Sequence, residues 1–248
     1  MRIGVAQMRS FKGDILRNIE SHIRLIELAA AMNADTIIFP ELSITGYEPE
    51  LASGLAGTVE DMRLDIFETL SDRYSMTIGV GFPTWAGSGV RISMIIFPPG
   101  QARQVYSKRY LHADEEPYFV CGTDAVHLNG GKVALAICYE LSVPAHAEQA
   151  HRSGAEIYLV SVAKTRSGME KAAELLMNIA RRYSMPVLIS NSIGPCDQFE
   201  CSGGSAVWDA EGLLKAELDE TEEGVLLLDT ATGRVTKNKG TETIYESQ

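Results

Sequence analysis

A cysteine near the middle of the chain combines a reactive side chain with a position that suits a nucleophile. Cys138 follows an apolar, strand-like run at residues 132–137 and precedes Tyr139, Glu140 and a segment typical of a helix start. Backbone N–H groups at such a strand-to-helix turn favour a thiolate. The run by itself is more typical of a small buried thiol, which is the commoner situation for a free cysteine.

Two further strand-like runs end in charged residues. Residues 36–39 lead into Pro40 and Glu41; because proline cannot donate to a sheet, the strand ends there and Glu41 stands at its exit. Residues 105–107 are followed by two cations, the first of which is Lys108. Taken singly, a loop acid and a lysine of this kind are usually solvated surface residues.

Together, and in this order, the three segments resemble those of the nitrilase superfamily of carbon–nitrogen hydrolases. The likeness extends to the opening strand, to the helix after it and to a late glycine-containing segment, so it spans nearly the whole chain. It implies an α/β fold, a four-layer α-β-β-α sandwich, and the length of 248 residues agrees with a single domain over residues 1–248. The matching stretches are Phe39-Pro40-Glu41, Tyr106-Ser107-Lys108-Arg109-Tyr110-Leu111, Ile137-Cys138-Tyr139-Glu140 and Gly203-Gly204-Ser205-Ala206-Val207.

The resemblance implies a Glu-Lys-Cys triad, with Glu41 as general base, Cys138 as nucleophile and Lys108 as electrostatic stabiliser. These residue types suit amide hydrolysis, because a weak electrophile needs a thiolate that a nearby base generates from the thiol. The Lys108 ammonium and the backbone N–H of Tyr139 would bind the developing oxyanion.

A second glutamate is implied by the same resemblance. Residues 115–122 fit the family pattern Glu-x-x-x-Phe-x-x-Gly with Glu115 in the first position. Glu116 takes that place if the register slips by one residue. An ordinary solvated acidic loop also fits these residues.

The loop after the strand-like residues 156–160 is expected to border the pocket, since that strand lies next to the nucleophile strand. Lys164 and Arg166 in this loop are candidates to bind a substrate carboxylate, and an arginine can make a two-point contact. Both are equally compatible with solvated loop cations. Many relatives carry an Asn or another small polar residue near Lys164, and this chain departs from that pattern, so the identity of the substrate stays open.

Alternating strands and helices would carry these residues, an arrangement typical of layered α/β folds. Further strands are predicted at residues 76–82, 90–97, 101–106, 186–191 and 225–229. One helix is predicted from Asp14 as N-cap, with an apolar face formed by Ile15, Leu16, Ile19, Ile23, Ile26 and Ala30. A later one has Ala172, Leu175, Leu176, Ile179 and Tyr183 on one face.

Composition excludes several classes of partner. The net charge is −11 and basic clusters are absent, so nucleic acid and anionic membrane surfaces are not expected partners. There is no apolar stretch of membrane-spanning length and no secretory signal, which predicts a cytoplasmic protein with four free thiols. The spacing of Cys196 and Cys201 invites a metal or a disulfide, but no set of ligands accompanies them, so no metal and no cofactor is predicted.

These observations predict a hydrolase that cleaves a non-peptide C–N bond of a small linear amide or N-carbamoyl compound through a thioester acyl-enzyme. A nitrile hydrolase and a non-catalytic or acyl-transferring relative are the alternatives. The intact triad argues against loss of catalysis.

From the resemblance we also expect a homodimer or a higher homo-oligomer, formed by helices near residues 143–153 and 168–183 and by the tail after Asp229.

Overall fold

Two β-sheets pack face to face, and helices cover the outer face of each sheet. The structure, a computed structural model, describes residues 1–123 and 127–239. Its helices are α1 (Ile15–Ala31), α2 (Ala52–Leu55), α3 (Asp65–Tyr74), α4 (Pro144–Arg152) and α5 (Arg166–Tyr183). Its strands are β1 (Arg2–Arg9), β2 (Thr36–Ile38), β3 (Thr77–Ala86), β4 (Gly89–Phe97), β5 (Gln104–Ser107), β6 (His127–Leu128), β7 (Val133–Ile137), β8 (Ile157–Val162), β9 (Val187–Cys196), β10 (Phe199–Ser202), β11 (Ala206–Trp208), β12 (Leu214–Glu217), β13 (Gly224–Asp229) and β14 (Arg234–Asn238).

The two sheets share one connecting strand. The first has the order β5-β4-β3-β2-β1-β13-β14, with β1, β2 and β3 parallel. The second has the order β6-β7-β8-β9-β11-β12, with β7, β8 and β9 parallel, and β10 forms a hairpin with β9. The end of β1 pairs with β9 at Met8–Ser192 and Arg9–Ile193, so β1 belongs to both sheets.

Alternation along the strands divides the hydrophobic core into three parts. In β7, Val133, Leu135 and Ile137 belong to the core between the two sheets, whereas Ala134 and Ala136 pack with residues of α4 and α5. A third part lies between the first sheet and helices α1 and α3. The expected α-β-β-α sandwich is therefore confirmed.

Helix α1 begins where the sequence predicts, because the Asp14 side chain accepts a hydrogen bond from the backbone N–H of Arg17. Ile15, Ile19 and Ile26 face the core as expected. The prediction was wrong for Leu16, which is 75% exposed, since it lies one helical step away from the buried face. None of the helices within the described ranges is long and apolar enough to cross a membrane.

Four strands bring the candidate residues to one place. Cys138 directly follows β7 and Lys108 directly follows β5, while Glu41 and Lys164 come a few residues after β2 and β8. Strands β7 and β8 are parallel, and β5 runs parallel to β3 because each is antiparallel to β4. The carboxyl ends of these strands are therefore the part of the sandwich at which a site can be built.

Candidate active site

A lysine held between two glutamates forms the base of the site. The Lys108 Nζ donates to Glu41 Oε1 at 2.8 Å and to Glu115 Oε1 at 2.6 Å. All three residues are buried, with at most 2% of any of them exposed. Burying these charges costs free energy, which their mutual attraction offsets only when the geometry is good. The cluster is therefore weak evidence for stabilisation of the fold, but it holds the lysine charge at a defined position.

Glu115 is the second glutamate of the site. Besides Lys108, it accepts hydrogen bonds from the Tyr47 hydroxyl at 2.9 Å and from the backbone N–H of His112 at 2.8 Å. Its neighbour Glu116 is exposed. The geometry therefore favours Glu115 over the alternative register.

The two glutamates allow a matched test of that register. Glu115→Gln should lower kcat by about 10²-fold, because Lys108 loses a charged partner that fixes its ammonium. Glu116→Gln should leave kcat within about twofold, as expected of a solvated side chain. Steady-state kinetics on both variants makes the comparison, and equal losses would contradict the assignment.

Cys138 occupies a strained backbone position. It is the first residue of a 3₁₀ turn at Cys138–Ser142, and its φ of 44° lies in the left-handed region that non-glycine residues avoid. The sharp turn out of β7 presents the thiol to a cavity that Tyr139 also lines. Because the first N–H groups of such a turn have no acceptor within it, the backbone N–H of Tyr139 is suited to bind an anion.

Burial sets the protonation of the thiol and of its neighbouring acid. It raises the pKa of Cys138 to about 11, with the charge of Glu41 adding to the effect. Burial also raises the pKa of Glu41, although the Lys108 charge opposes this. Desolvation and the neighbouring acid thus outweigh the nearby cations, so Cys138 needs a base to become a thiolate.

One carboxylate oxygen of Glu41 is available to accept a proton. Its Oε1 is bonded to Lys108, whereas Oε2 is buried without a hydrogen-bond partner in the part of the chain that the structure describes. A carboxylate oxygen of this kind is costly to bury. It is suited to accept a proton from a thiol that does not ionise by itself at neutral pH.

The cavity at Cys138 has a volume of about 380 Å³, which suits a small molecule. Glu41 and Lys108 are not among its lining residues, but Lys108 is bonded to Glu41 and to Glu115, and Glu115 does line it. Its lining includes Tyr47, His112, Glu115, Tyr118, Cys138, Tyr139, Ala163, Lys164, Gln198 and Phe199.

Lys164 lines the cavity and, with Lys108, is one of two cations that act on Cys138. No carboxylate among residues 1–123 and 127–239 lies within ion-pair distance of its ammonium. Its backbone is fixed by the buried Asn191, whose Oδ1 accepts from the Lys164 N–H at 2.9 Å and whose Nδ2 donates to the Lys164 carbonyl at 3.1 Å. The Lys164 charge acts on both Cys138 and Glu41, favouring the anionic form of each.

Arg166 does not belong to this cavity, so its prediction as a pocket residue was wrong. The chain turns into α5 after Lys164, with the Thr165 side chain capping the helix. As the first residue of α5, Arg166 is exposed, pairs with Glu220 and lines a separate surface depression. Two residues of one loop thus face different sites, because the helix start lies between them.

Two glycines allow the backbone to approach the site closely. A Cβ at Gly81 in β3 would lie 2.4 Å from the Leu42 N and the Pro40 carbonyl oxygen, on either side of Glu41. A Cβ at Gly122 would lie 2.3 Å from the Ser107 carbonyl oxygen, next to Lys108. Only glycine fits at such contacts, which explains the glycine of the Glu-x-x-x-Phe-x-x-Gly pattern.

The sequence did not predict the aromatic wall of the cavity. Tyr47 and Phe199 stand with ring centroids 5.9 Å apart, and Phe199 packs with the two cysteines of the β9–β10 hairpin. These are buried free thiols, and Cys201 donates to the Cys196 Sγ at 3.0 Å. In the sequence, the feature that could have indicated Tyr47 as a cavity residue is its position in the loop after Glu41.

Comparison with known proteins identifies relatives along the whole chain. The sequence profile of the carbon-nitrogen hydrolase family matches residues 2–239. The glutamine-dependent NAD(+) synthetase of Xylella fastidiosa is 30% identical over 223 residues, covering 86% of this chain and 41% of the synthetase. The chain thus spans about two-fifths of the length of that relative. An (R)-stereoselective amidase of a Pseudomonas species is 26% identical over 240 residues, covering 92% of this chain and 85% of the amidase.

Solved structures share the fold. The amidase from Nesterenkonia sp. AN1 superposes with a TM-score of 0.83 at 22% identity, covering 92% of each chain. One structure of that amidase contains butyramide, and another has the acetamide moiety of fluoroacetamide attached to its active site cysteine.

Proposed function

The chain belongs to the carbon–nitrogen hydrolase family, and we propose that it hydrolyses the C–N bond of a small linear amide or N-carbamoyl compound. The observation that carries the proposal is the Lys108 ammonium held by Glu41 and Glu115 behind a cavity lined by Cys138. The cavity is open to a small molecule.

In the proposed first step, Glu41 takes the thiol proton as the Cys138 Sγ attacks the carbonyl carbon. The raised pKa of Cys138 requires this base, because the free thiolate is scarce at neutral pH. The oxyanion accepts hydrogen bonds from Lys108, whose third N–H is not used by the glutamates, and from the Tyr139 backbone N–H.

In the second step, the tetrahedral intermediate expels the amine, which takes the proton from Glu41 and leaves a thioester on Cys138. Glu41 then removes a proton from water, which attacks the thioester carbonyl. Collapse of the second tetrahedral intermediate releases the carboxylic acid, and the proton returns to the Cys138 sulfur. Lys108 remains protonated throughout, since the surrounding carboxylates raise its pKa although burial alone would lower it.

The reaction is tested by ammonia release from a panel of amides, N-carbamoyl amino acids and nitriles. Release from amides or carbamoyl compounds, abolished in Cys138→Ala, is the expected result. Release from nitriles alone would replace the proposed substrate class with the nitrile hydrolase alternative. Transfer of the acyl group to an added amine in preference to water, or no reaction with any member, would favour the acyl-transferring or non-catalytic alternatives.

We further propose that Lys164 binds a carboxylate of the substrate. Lys164 lines the cavity, its backbone is fixed, and its ammonium has no ion-pair partner among the residues described. An anionic group on the substrate would supply that partner. Glutamine, which the related synthetases require as their name states, is a small linear amide with a carboxylate and belongs on the panel.

Succinamate and butyramide are nearly equal in shape and differ in a carboxylate, so they isolate the effect of Lys164. Lys164→Met should lower kcat/KM for succinamate by about 10–100-fold relative to butyramide, the loss expected for a charged hydrogen bond. Arg166→Met, which removes the exposed cation two residues away, should leave the ratio unchanged. Equal losses for both amides would show that Lys164 acts on the thiol rather than on the substrate.

We also propose that the enzyme is a homodimer or larger, as the resemblance implies. Leu141, Pro144, Leu175, Ile179 and Tyr183 line an apolar depression between α4 and α5. Of the tail after Asp229, Arg234–Asn238 form β14, which pairs with β13 of the same chain, and residues 240–248 lie outside the described residues. Light scattering should give at least twice the chain mass of 27.0 kDa, and a monomer at micromolar concentration would contradict the proposal.

A further inference from the structure

Glu140 is a buried carboxylate that the proposed chemistry does not use. It has no exposed surface, although an isolated carboxylate is among the most costly groups to bury. Three donors compensate for the lost water. Oε2 accepts from the Ile137 backbone N–H at 2.8 Å and from the Tyr106 hydroxyl at 2.6 Å, and Oε1 accepts from the Arg109 backbone N–H at 2.7 Å.

The positions of these donors relate Glu140 to the site. Ile137 directly precedes Cys138, and Arg109 directly follows Lys108. Strand β7, before Cys138, belongs to the second sheet, and β5, before Lys108, is an edge strand of the first. The ladders in the described part of the chain do not pair β5 with β7, so the Glu140 carboxylate is a direct hydrogen-bonded link between the segments that carry the nucleophile and the lysine.

A chain of buried side chains continues from Glu140. The Tyr106 hydroxyl, which donates to Glu140, is 2.9 Å from His146 Nε2, and His146 Nδ1 is 2.7 Å from the Tyr158 hydroxyl. These contacts are satisfied when Nε2–H donates to Tyr106 and the Tyr158 hydroxyl donates to Nδ1. Because the Glu140 carboxylate can only accept, the Tyr106 hydroxyl donates its proton to Glu140 with or without the Tyr158 contact.

We propose that Glu140 is a positioning residue that fixes the Lys108 ammonium relative to the Cys138 sulfur across the two sheets. The inference rests on the proposed function, in which both groups contact the reacting carbonyl. A misplacement of about 1 Å is enough to lower turnover by about 10²-fold, so a link at both neighbouring residues has a direct effect on rate. A purely structural role would instead affect stability and leave turnover of the folded enzyme unchanged.

Tyr106→Phe and Tyr158→Phe form a matched pair of variants. Each removes one fully buried hydroxyl and leaves one nitrogen of His146 without that partner, but only the Tyr106 hydroxyl reaches Glu140. We expect Tyr106→Phe to lower kcat about tenfold with KM within about twofold, and Tyr158→Phe to leave both within about twofold. Glu140→Gln should lower kcat by about 10²-fold. Thermal unfolding of each variant checks that it is folded.

A second measurement needs no knowledge of the substrate. The rate at which 2-chloroacetamide modifies Cys138, followed by intact mass, depends on the same placement of thiol and lysine. Tyr106→Phe should slow this modification and Tyr158→Phe should not. If Glu140→Gln does not fold, the comparison of Tyr106→Phe with Tyr158→Phe still tests the positioning role of Glu140.

The outcomes separate the two proposals. Equal effects of the two tyrosine variants on kcat and on the modification rate would overturn the positioning role, whether or not the enzyme hydrolyses amides. If the wild-type protein hydrolyses none of the panel but the modification rates differ as expected, the positioning role stands and the proposed substrate class fails.

Discussion

Cys138→Ala should reduce turnover by about 10⁵-fold or more, to the background rate, because no acyl-enzyme can form without the sulfur. Cys138→Ser should be nearly as inactive. Its hydroxyl is far harder to deprotonate than a thiol, and Glu41 is a weaker base than a serine nucleophile needs. Ammonia release at saturating substrate measures both variants.

The control for this substitution is Cys121→Ala, which removes an exposed thiol outside the cavity and should leave turnover unchanged. Intact-mass analysis of the wild-type enzyme mixed rapidly with substrate should show an acyl adduct that maps to Cys138. Full activity in Cys138→Ala would falsify the proposed mechanism. An adduct on another residue would keep the hydrolase and discard this nucleophile.

Glu41→Gln should lower kcat/KM by about 10³–10⁴-fold, the contribution expected of a well-placed general base. Glutamine keeps the shape of the side chain but cannot take the thiol proton. Lys108 retains Glu115 as a partner in this variant, so the fold should persist. Circular dichroism and thermal unfolding compare the two proteins before their rates are measured.

The pH dependence identifies why Glu41→Gln fails. Wild-type kcat/KM should rise as Glu41 ionises and then level off, and the raised pKa of Glu41 places this rise above the pH at which an ordinary glutamate titrates. The variant depends on free thiolate, so its residual rate should climb about tenfold per pH unit through neutrality. Loss of the Glu41 charge removes one cause of the raised Cys138 pKa, so the climb should end below the wild-type value of about 11. A flat profile in the variant would contradict the base assignment.

The sequence predicted the parts of the site that depend on strand ends. Glu41, Lys108 and Cys138 each stand where an apolar run stops, and the spacing from Glu115 to Gly122 reflects a backbone contact that only glycine allows. Such features are local, or they impose a constraint on a single residue type. Their positions could be located without knowing how the sheets pack, but it was the resemblance of the three segments, taken together and in order, that selected these residues as candidates.

Other properties of the site depend on tertiary packing and could not be predicted. Lys164 and Arg166 are two residues apart and are both cations in a predicted loop. Because α5 begins between them, Lys164 lines the cavity whereas Arg166 pairs with Glu220. The pKa of Cys138 depends on how deeply the sandwich buries it, which overrides the local effect of the turn. The short strands β10, β12 and β14 were missed because most of their residues are exposed or half-buried and lack a sustained apolar pattern, and β11 because it is only three residues long.

The sharing of β1 between the two sheets has a consequence for how the enzyme becomes active after synthesis or denaturation. Helices and hairpins can form from local contacts, whereas β1 pairs with β13 in one sheet and with β9 in the other, both about 180 or more residues further along the chain. The lysine and the nucleophile lie in different sheets, and even Lys108 and Glu41 are 67 residues apart. Contacts of such long range form late, because loop-closure entropy must be overcome first. Recovery of catalysis during refolding should therefore lag behind recovery of helical circular dichroism, which makes activity the stricter measure of complete folding.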